Sequence, residues 1–116
     1  MAKQFKCIMM DVVTQSSLFS GGDGIEVIST NSDVIDWITE QIKNLVPKVK
    51  VENRPNLSPF MKGCGRKFSK LENNYYSVAW WIIQQLCLEG WEPYGKTVYS
   101  RSKGCSSITL RLEMNN

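Results

Sequence analysis

The segment SSITLRLE, residues 106 to 113, alternates without a break: Ile108, Leu110 and Leu112 fall on one side, Thr109, Arg111 and Glu113 on the other. A side-chain period of two makes this a strand with one face on a core and the other toward solvent. Such strands belong to antiparallel sheets covered on one face, since parallel strands bury both faces and read as continuous apolar runs. The chain must therefore supply helices for that one face, and two segments have the period for it.

In DVIDWITEQIKNL, Val34, Ile35, Ile38, Ile42 and Leu45 recur at helical spacing, while Glu40 and Lys43 fall on the other side. Asn31 or Ser32 caps this helix, Asp33 and Asp36 complement its positive end, and Pro47 stops it. A second helix begins near Asn74 or Ser77. Ala79, Ile82, Ile83, Leu86 and Cys87 share one of its faces, widened by Val78, Trp80 and Leu88. So broad an apolar arc predicts the more buried of the two helices, with Gly90 as its terminating residue.

The other strands are read in the same way. QFKCIMMDVV is apolar on both alternating sides, Phe5, Cys7 and Met9 against Ile8, Met10 and Val12, which predicts a central strand. TQSSLFSGGDG is a loop, and it lacks the Lys-Ser/Thr ending and following helix that a phosphate-binding loop needs. IEVIST is a second strand antiparallel to the first. KVKVEN alternates and adds a short edge strand, and WEPYGKTVYS precedes the terminal one. The expected class is α+β: an antiparallel sheet of four or five strands with two helices on one face, in the order β-β-α-(β)-loop-α-β-β. Its 116 residues make one domain, long enough to bury a core without crosslinks.

IIQQLCLEGWEPYG followed by SSITLRLE resembles the helix, Gly-Trp-Glu corner and hairpin of a small bacterial domain of unknown function. It is also similar to a stretch of the raftlin adaptors, which associate with lipid rafts. The resemblance covers the C-terminal third and rests on Gly90, Trp91 and Glu92; Pro93 departs from it, where that pattern carries an aliphatic residue. It implies the local fold and no chemistry. Read from the residues, Gly90 in a left-handed conformation reverses the chain and lays Trp91 across Leu86 and Cys87. The alternative is that Trp91 is an exposed anchor for a partner.

Several functional classes are disfavoured by composition. The chain has no histidine, which removes His-based general bases, mixed His/Cys zinc sites and every Ser-His or Cys-His nucleophile. Its four cysteines, Cys7, Cys64, Cys87 and Cys105, are widely spaced and expected to stay reduced. Asp11 cuts short the apolar run near the start, and YYSVAWWII is too short to span a bilayer. The expectation is a cytoplasmic, non-enzymatic chain without metal or cofactor.

The positive signal is electrostatic. Of fourteen cations, Arg54, Lys62, Arg66, Lys67 and Lys70 fall between positions 54 and 70 with no acid among them, leaving nine cations and eleven acids elsewhere. This stretch, about 52–72, is broken by Pro55, Pro59, Gly63 and Gly65 and carries Phe60, Met61 and Phe68. It reads as a long basic loop studded with apolar anchors, of the kind that is functional or disordered in compact domains. The candidate binding residues are therefore Arg54, Phe60, Met61, Lys62, Arg66, Lys67, Phe68 and Lys70, joined by Trp37 on the first helix. Trp37 reads equally as a residue packed between helices. Another protein is the expected partner, in an adaptor or small-subunit role. RNA or another nucleic acid is the alternative, and an anionic membrane surface comes third. Cys64, among Lys62, Arg66 and Lys67, is a candidate redox-sensitive thiol, whereas Cys7 and Cys87 are expected to be inert in the core.

Overall fold

The computed structural model describes residues 3–13, 24–54, 64–72, 74–100 and 105–114. Their elements follow in the order β1 (Phe5–Val13), β2 (Gly24–Ser29), α1 (Ser32–Leu45), β3 (Lys50–Asn53), β4 (Cys64–Ser69), α2 (Tyr75–Leu88), β5 (Glu92–Pro93), β6 (Val98–Ser100) and β7 (Cys105–Glu113). The strands form one antiparallel sheet of seven in the order β3-β4-β2-β1-β7-β5, with β6 also paired to β7. The expected α+β class is seen, with more strands than the sequence suggests.

Two features account for the difference. WEPYGKTVYS is not one strand: Gly95, at φ +80°, turns the chain away from β7 between β5 and β6. The basic stretch is a loop only in part, since its segment Cys64–Ser69 is β4, hydrogen-bonded between β2 and β3. Residues 55–63 lie outside the described residues.

Register fixes which side chains meet. Ile8, Met10 and Val12 of β1 stand opposite Ser29, Val27 and Ile25 of β2, and Ile8 and Met10 opposite Leu110 and Ile108 of β7. These positions line the helix-bearing face. On it α1 buries Val34, Ile35, Ile38 and Ile42, and α2 buries Val78, Ala79, Ile82 and Leu86. Phe68 of β4 and Leu71 after it are fully buried in the same core. Gly24 is required where β2 begins, because a β-carbon there would collide with the carbonyl oxygen of Phe68.

The helix ends show why the chain reverses where it does. The Gly90 amide donates to the Cys87 carbonyl at 3.1 Å and the Trp91 amide to the Leu86 carbonyl at 3.0 Å, with Gly90 at φ +96°. This is the two-bond glycine stop that satisfies the last carbonyls of a helix. It turns Trp91 back onto Leu86, and the indole is 6% exposed. The structure thus places Trp91 in the core.

Candidate functional site

The helix over the middle of the sheet is the unusual element. From Tyr75 to Leu88 it carries no charged residue. A helix apolar all round normally lies inside a protein. Here only one side is covered: Tyr76 is 55% exposed, Trp80 62% and Leu88 79%, and Trp81 and Cys87 are exposed as well. The expectation that α2 is the more buried helix, with Cys87 inside, is therefore corrected. The arc is broad because it serves two surfaces, and the sheet takes only one of them.

The cause is a mismatch of widths. α1 packs over β2 and β4 and α2 over β1 and β2; beyond α2 the same sheet face is covered only in part, with Leu110 of β7 buried, Ile108 half-buried and Pro93 of β5 exposed. Two grooves run along this boundary. One, of about 420 Å³, lies among Val12, Tyr76, Ala79, Trp80, Ile83 and Ile108, with Thr97, Ser106 and Ser107 at its edge. The other, of about 620 Å³, lies among Trp80, Ile83, Gln84, Cys87, Leu88, Pro93 and Ile108. Trp80, mostly exposed, lines both, together with Ile83 and Ile108. Tyr99, in register with Ser106, stands beside the first groove.

A third concavity, of about 360 Å³, opens at the other end of the core. Trp37, Trp91, Val34, Leu86 and Leu112 line it, with Lys6, Asp33 and Glu89 around them. The Lys6 ammonium donates to the Asp33 carboxylate at 3.2 Å, which holds that exposed carboxyl below its ordinary value. Trp37 is half-buried and packed against the core. It is a wall of this cleft.

The basic residues are placed differently from the expectation. Phe68 is fully buried, so it anchors the sheet and is not available as a contact. Arg66 points to the helix side, where its Nη1 donates to Asp36 Oδ1 at 2.8 Å and Thr39 Oγ1 at 2.9 Å, and its Nε to Asn53 Oδ1 at 3.0 Å. It ties α1 to the β3–β4 edge. Lys67 is 4% exposed on the opposite sheet face. Arg54 is half-buried, with Nη2 3.8 Å from Glu52 Oε2 and its backbone amide bonded to Gly65, and its Nε has no hydrogen-bond partner among the described residues. Lys70 is exposed at φ +60° just past β4. Phe60, Met61 and Lys62 lie outside the described residues. The structure therefore does not gather the proposed set onto one surface. Central strands need side chains that fit both layers, and Arg66 and Phe68 face the helices while Lys67 faces away.

The face away from the helices carries a polar row. Glu52, Lys67, Glu26, Asp11 and Ser107 are successive register partners across β3, β4, β2, β1 and β7. Ser107 donates to Asp11 at 2.6 Å. Burial raises the Glu26 carboxyl above its ordinary value, against the pull of Arg54 and Lys67 and with a further push from Asp11. Glu52 is lowered by its bond with Lys50. Further along this face Arg111 stacks between Phe5, 4.4 Å from the ring centre, and Tyr94, at 4.7 Å, and donates to Glu92 at 2.9 Å.

All four cysteines are free thiols: Cys64 is exposed on β4, but so are Cys7 and Cys87, and Cys105 is half-buried. Cys7 alternates onto the face without helices, and Cys87 borders the second groove. Neither has the inert core position expected of it. Among the described residues, no group of acids and cysteines is arranged to hold a metal ion, and no helix is long and apolar enough to cross a membrane.

The geometry defines a two-layer α+β domain whose principal exposed feature is an uncharged apolar surface on α2 and the adjoining sheet flank. No family model and no curated protein matches the chain. It is similar in structure to a conserved kinetoplastid-specific protein from Trypanosoma cruzi, at TM-score 0.52 and 16% identity, over 97% of this chain and 98% of that one. The likeness extends over the whole domain and concerns the fold.

Proposed function

We propose that this chain is a protein-binding module that docks through the exposed side of α2 and the neighbouring β7–β5 flank. One observation carries the reading: a fourteen-residue helix without a single charge leaves Tyr76, Trp80 and Leu88 more than half exposed. Monomeric proteins rarely expose large contiguous apolar patches, and those that do commonly bind through them. Aromatic anchors beside grooves are also the usual energetic centres of interfaces. The adaptor or small-subunit role expected from the sequence is kept, while its surface moves from the basic stretch to the helix. Arg66 is held by three partners and Lys67 is buried, so neither side chain offers itself to a phosphate.

The test is affinity capture with the chain and with a Trp80→Glu/Leu88→Glu variant. Proteins retained by the first and lost by the second are expected, with melting temperatures within a few degrees of each other. A variant that unfolds, or one that retains every captured protein, would overturn the assignment. Capture of RNA with a steep salt dependence, unaffected by the two substitutions, would favour the nucleic-acid alternative instead.

A further inference from the structure

Resting on the docking surface just assigned, we infer that its occupant is a second copy of this chain, packed about a two-fold axis with Trp80 near the centre. Three features of the patch carry this. The first is shape. A two-fold interface uses the same patch on both subunits, so that patch must hold both the protrusion and the recess that receives it. Trp80 is 62% exposed and borders both a groove of about 420 Å³ and one of about 620 Å³. A rotated copy can place its indole in either groove while its own grooves receive the first.

The second feature is charge. A contact between identical patches brings like charges together wherever they lie near the axis, which is costly. Here α2 supplies none, and the grooves are bordered by Ile83, Ile108, Pro93 and neutral polar side chains. A surface shaped for an acidic or basic partner would carry the complementary charge, and among the described residues lining these grooves there is none.

The third is area. Large aromatic side chains bury roughly 150–250 Å² each. With Tyr76 55%, Trp80 62%, Leu88 79% and Tyr99 61% exposed, these four alone leave about 500 Å² outside, on the order of the ~800 Å² per partner of a standard interface. Ile83, Ile108, Pro93 and Cys87 at the groove walls add to it.

Sedimentation equilibrium of the purified chain from about 1 to 300 μM, spanning the micromolar affinities of ordinary interfaces, tests this directly. The expected result is a mass of twice 13.3 kDa at the upper concentrations. Trp80→Glu should weaken association by at least ~30-fold, the loss typical of an interface centre. Leu88→Glu is a second variant at a still more exposed site. Alkylation provides a second readout, since Cys87 borders a groove: its rate should fall as protein concentration rises, while that of Cys7, on the far sheet face, stays constant. A chain that remains monomeric throughout overturns the inference, and so does a dimer that survives both substitutions. The docking assignment fails separately. A monomer that still captures a different protein through Trp80 keeps that assignment and loses only self-association.

Discussion

Replacing Trp91 by Ala isolates the residue on which the end of the core depends. The indole is 6% exposed, immediately after the glycine stop of α2, and it shares a cleft with Leu86, Val34 and Leu112. Removing it returns about 200 Å² of apolar contact to water, which at ~25 cal/mol/Å² sets an upper bound of about 5 kcal/mol. Buried tryptophans truncated to alanine lose about 3–5 kcal/mol. The cleft already opens beside the ring, so solvent can enter the space instead of leaving a sealed void. The expected loss is therefore in the lower part of that range, about 3 kcal/mol. For a domain of this size that is a fall of about 10–15 °C in melting temperature. Urea denaturation should show a lower midpoint at an unchanged slope, since the same surface unfolds. Trp80→Ala is the internal comparison: its side chain is mostly outside the core, so below the dimerisation range its melt should stay within about 1 kcal/mol of the parent. Equal losses for the two tryptophans, or a loss under about 1 kcal/mol for Trp91→Ala, would refute the assignment of one to the core and the other to the surface.

Arg66→Ala should destabilise by about 1 kcal/mol, because it strips Asp36, Thr39 and Asn53 of their shared donor while water can replace it at the exposed Asp36 and Asn53; a chemical melt unchanged by the substitution would show that the three bonds contribute nothing net. Gly90→Val should cost about 1–2 kcal/mol from the left-handed backbone alone, since its β-carbon would meet only the Leu112 side chain, at an ordinary 3.4 Å. Glu26→Gln should raise the melting temperature at neutral pH. A carboxyl raised above its ordinary value of 4.5 binds its proton more tightly folded than unfolded, so stability falls as pH rises from 4.5 through the raised value. The gain from glutamine should accordingly shrink below pH 4.5, and a gain that grows in acid would reverse the sign of the argument.

Much of the fold was legible because it is local. The alternation of β7, the glycine stop at Gly90 and the helical spacing of α1 each depend on residues close together in sequence, and each lies where its pattern puts it. What escaped depends on partners far along the chain. Cys64–Ser69 carries only Cys64 and Phe68 as apolar residues, with Arg66 between them on the same side, so its periodicity is weak. It becomes a strand because β2 and β3 offer hydrogen bonds on both sides and because Arg66 finds Asp36, thirty residues away. A basic residue on a central strand reads as solvent-seeking until its acid is known. The basic run thus reads as a binding surface in the sequence, whereas Arg66, Lys67 and Phe68 are built into the sheet.

The helix α2 shows the converse error, and it bears on function. Breadth of an apolar arc measures how much of a helix avoids water, not how much of that avoidance its own domain supplies. Val78, Ala79, Ile82 and Leu86 are covered by the sheet, whereas Tyr76, Trp80 and Leu88, equally apolar, are not. Size separates the groups in part, Val78, Ala79 and Ile82 against Tyr76 and Trp80, while Leu86 and Leu88 are the same residue on different sides. The covered side is made of small and branched side chains that let the helix approach the strands, and the uncovered side is made largely of aromatics that stand off from the backbone. An all-apolar helix with its bulk on one side and its small residues on the other has two different neighbours, and the chain as described provides one of them.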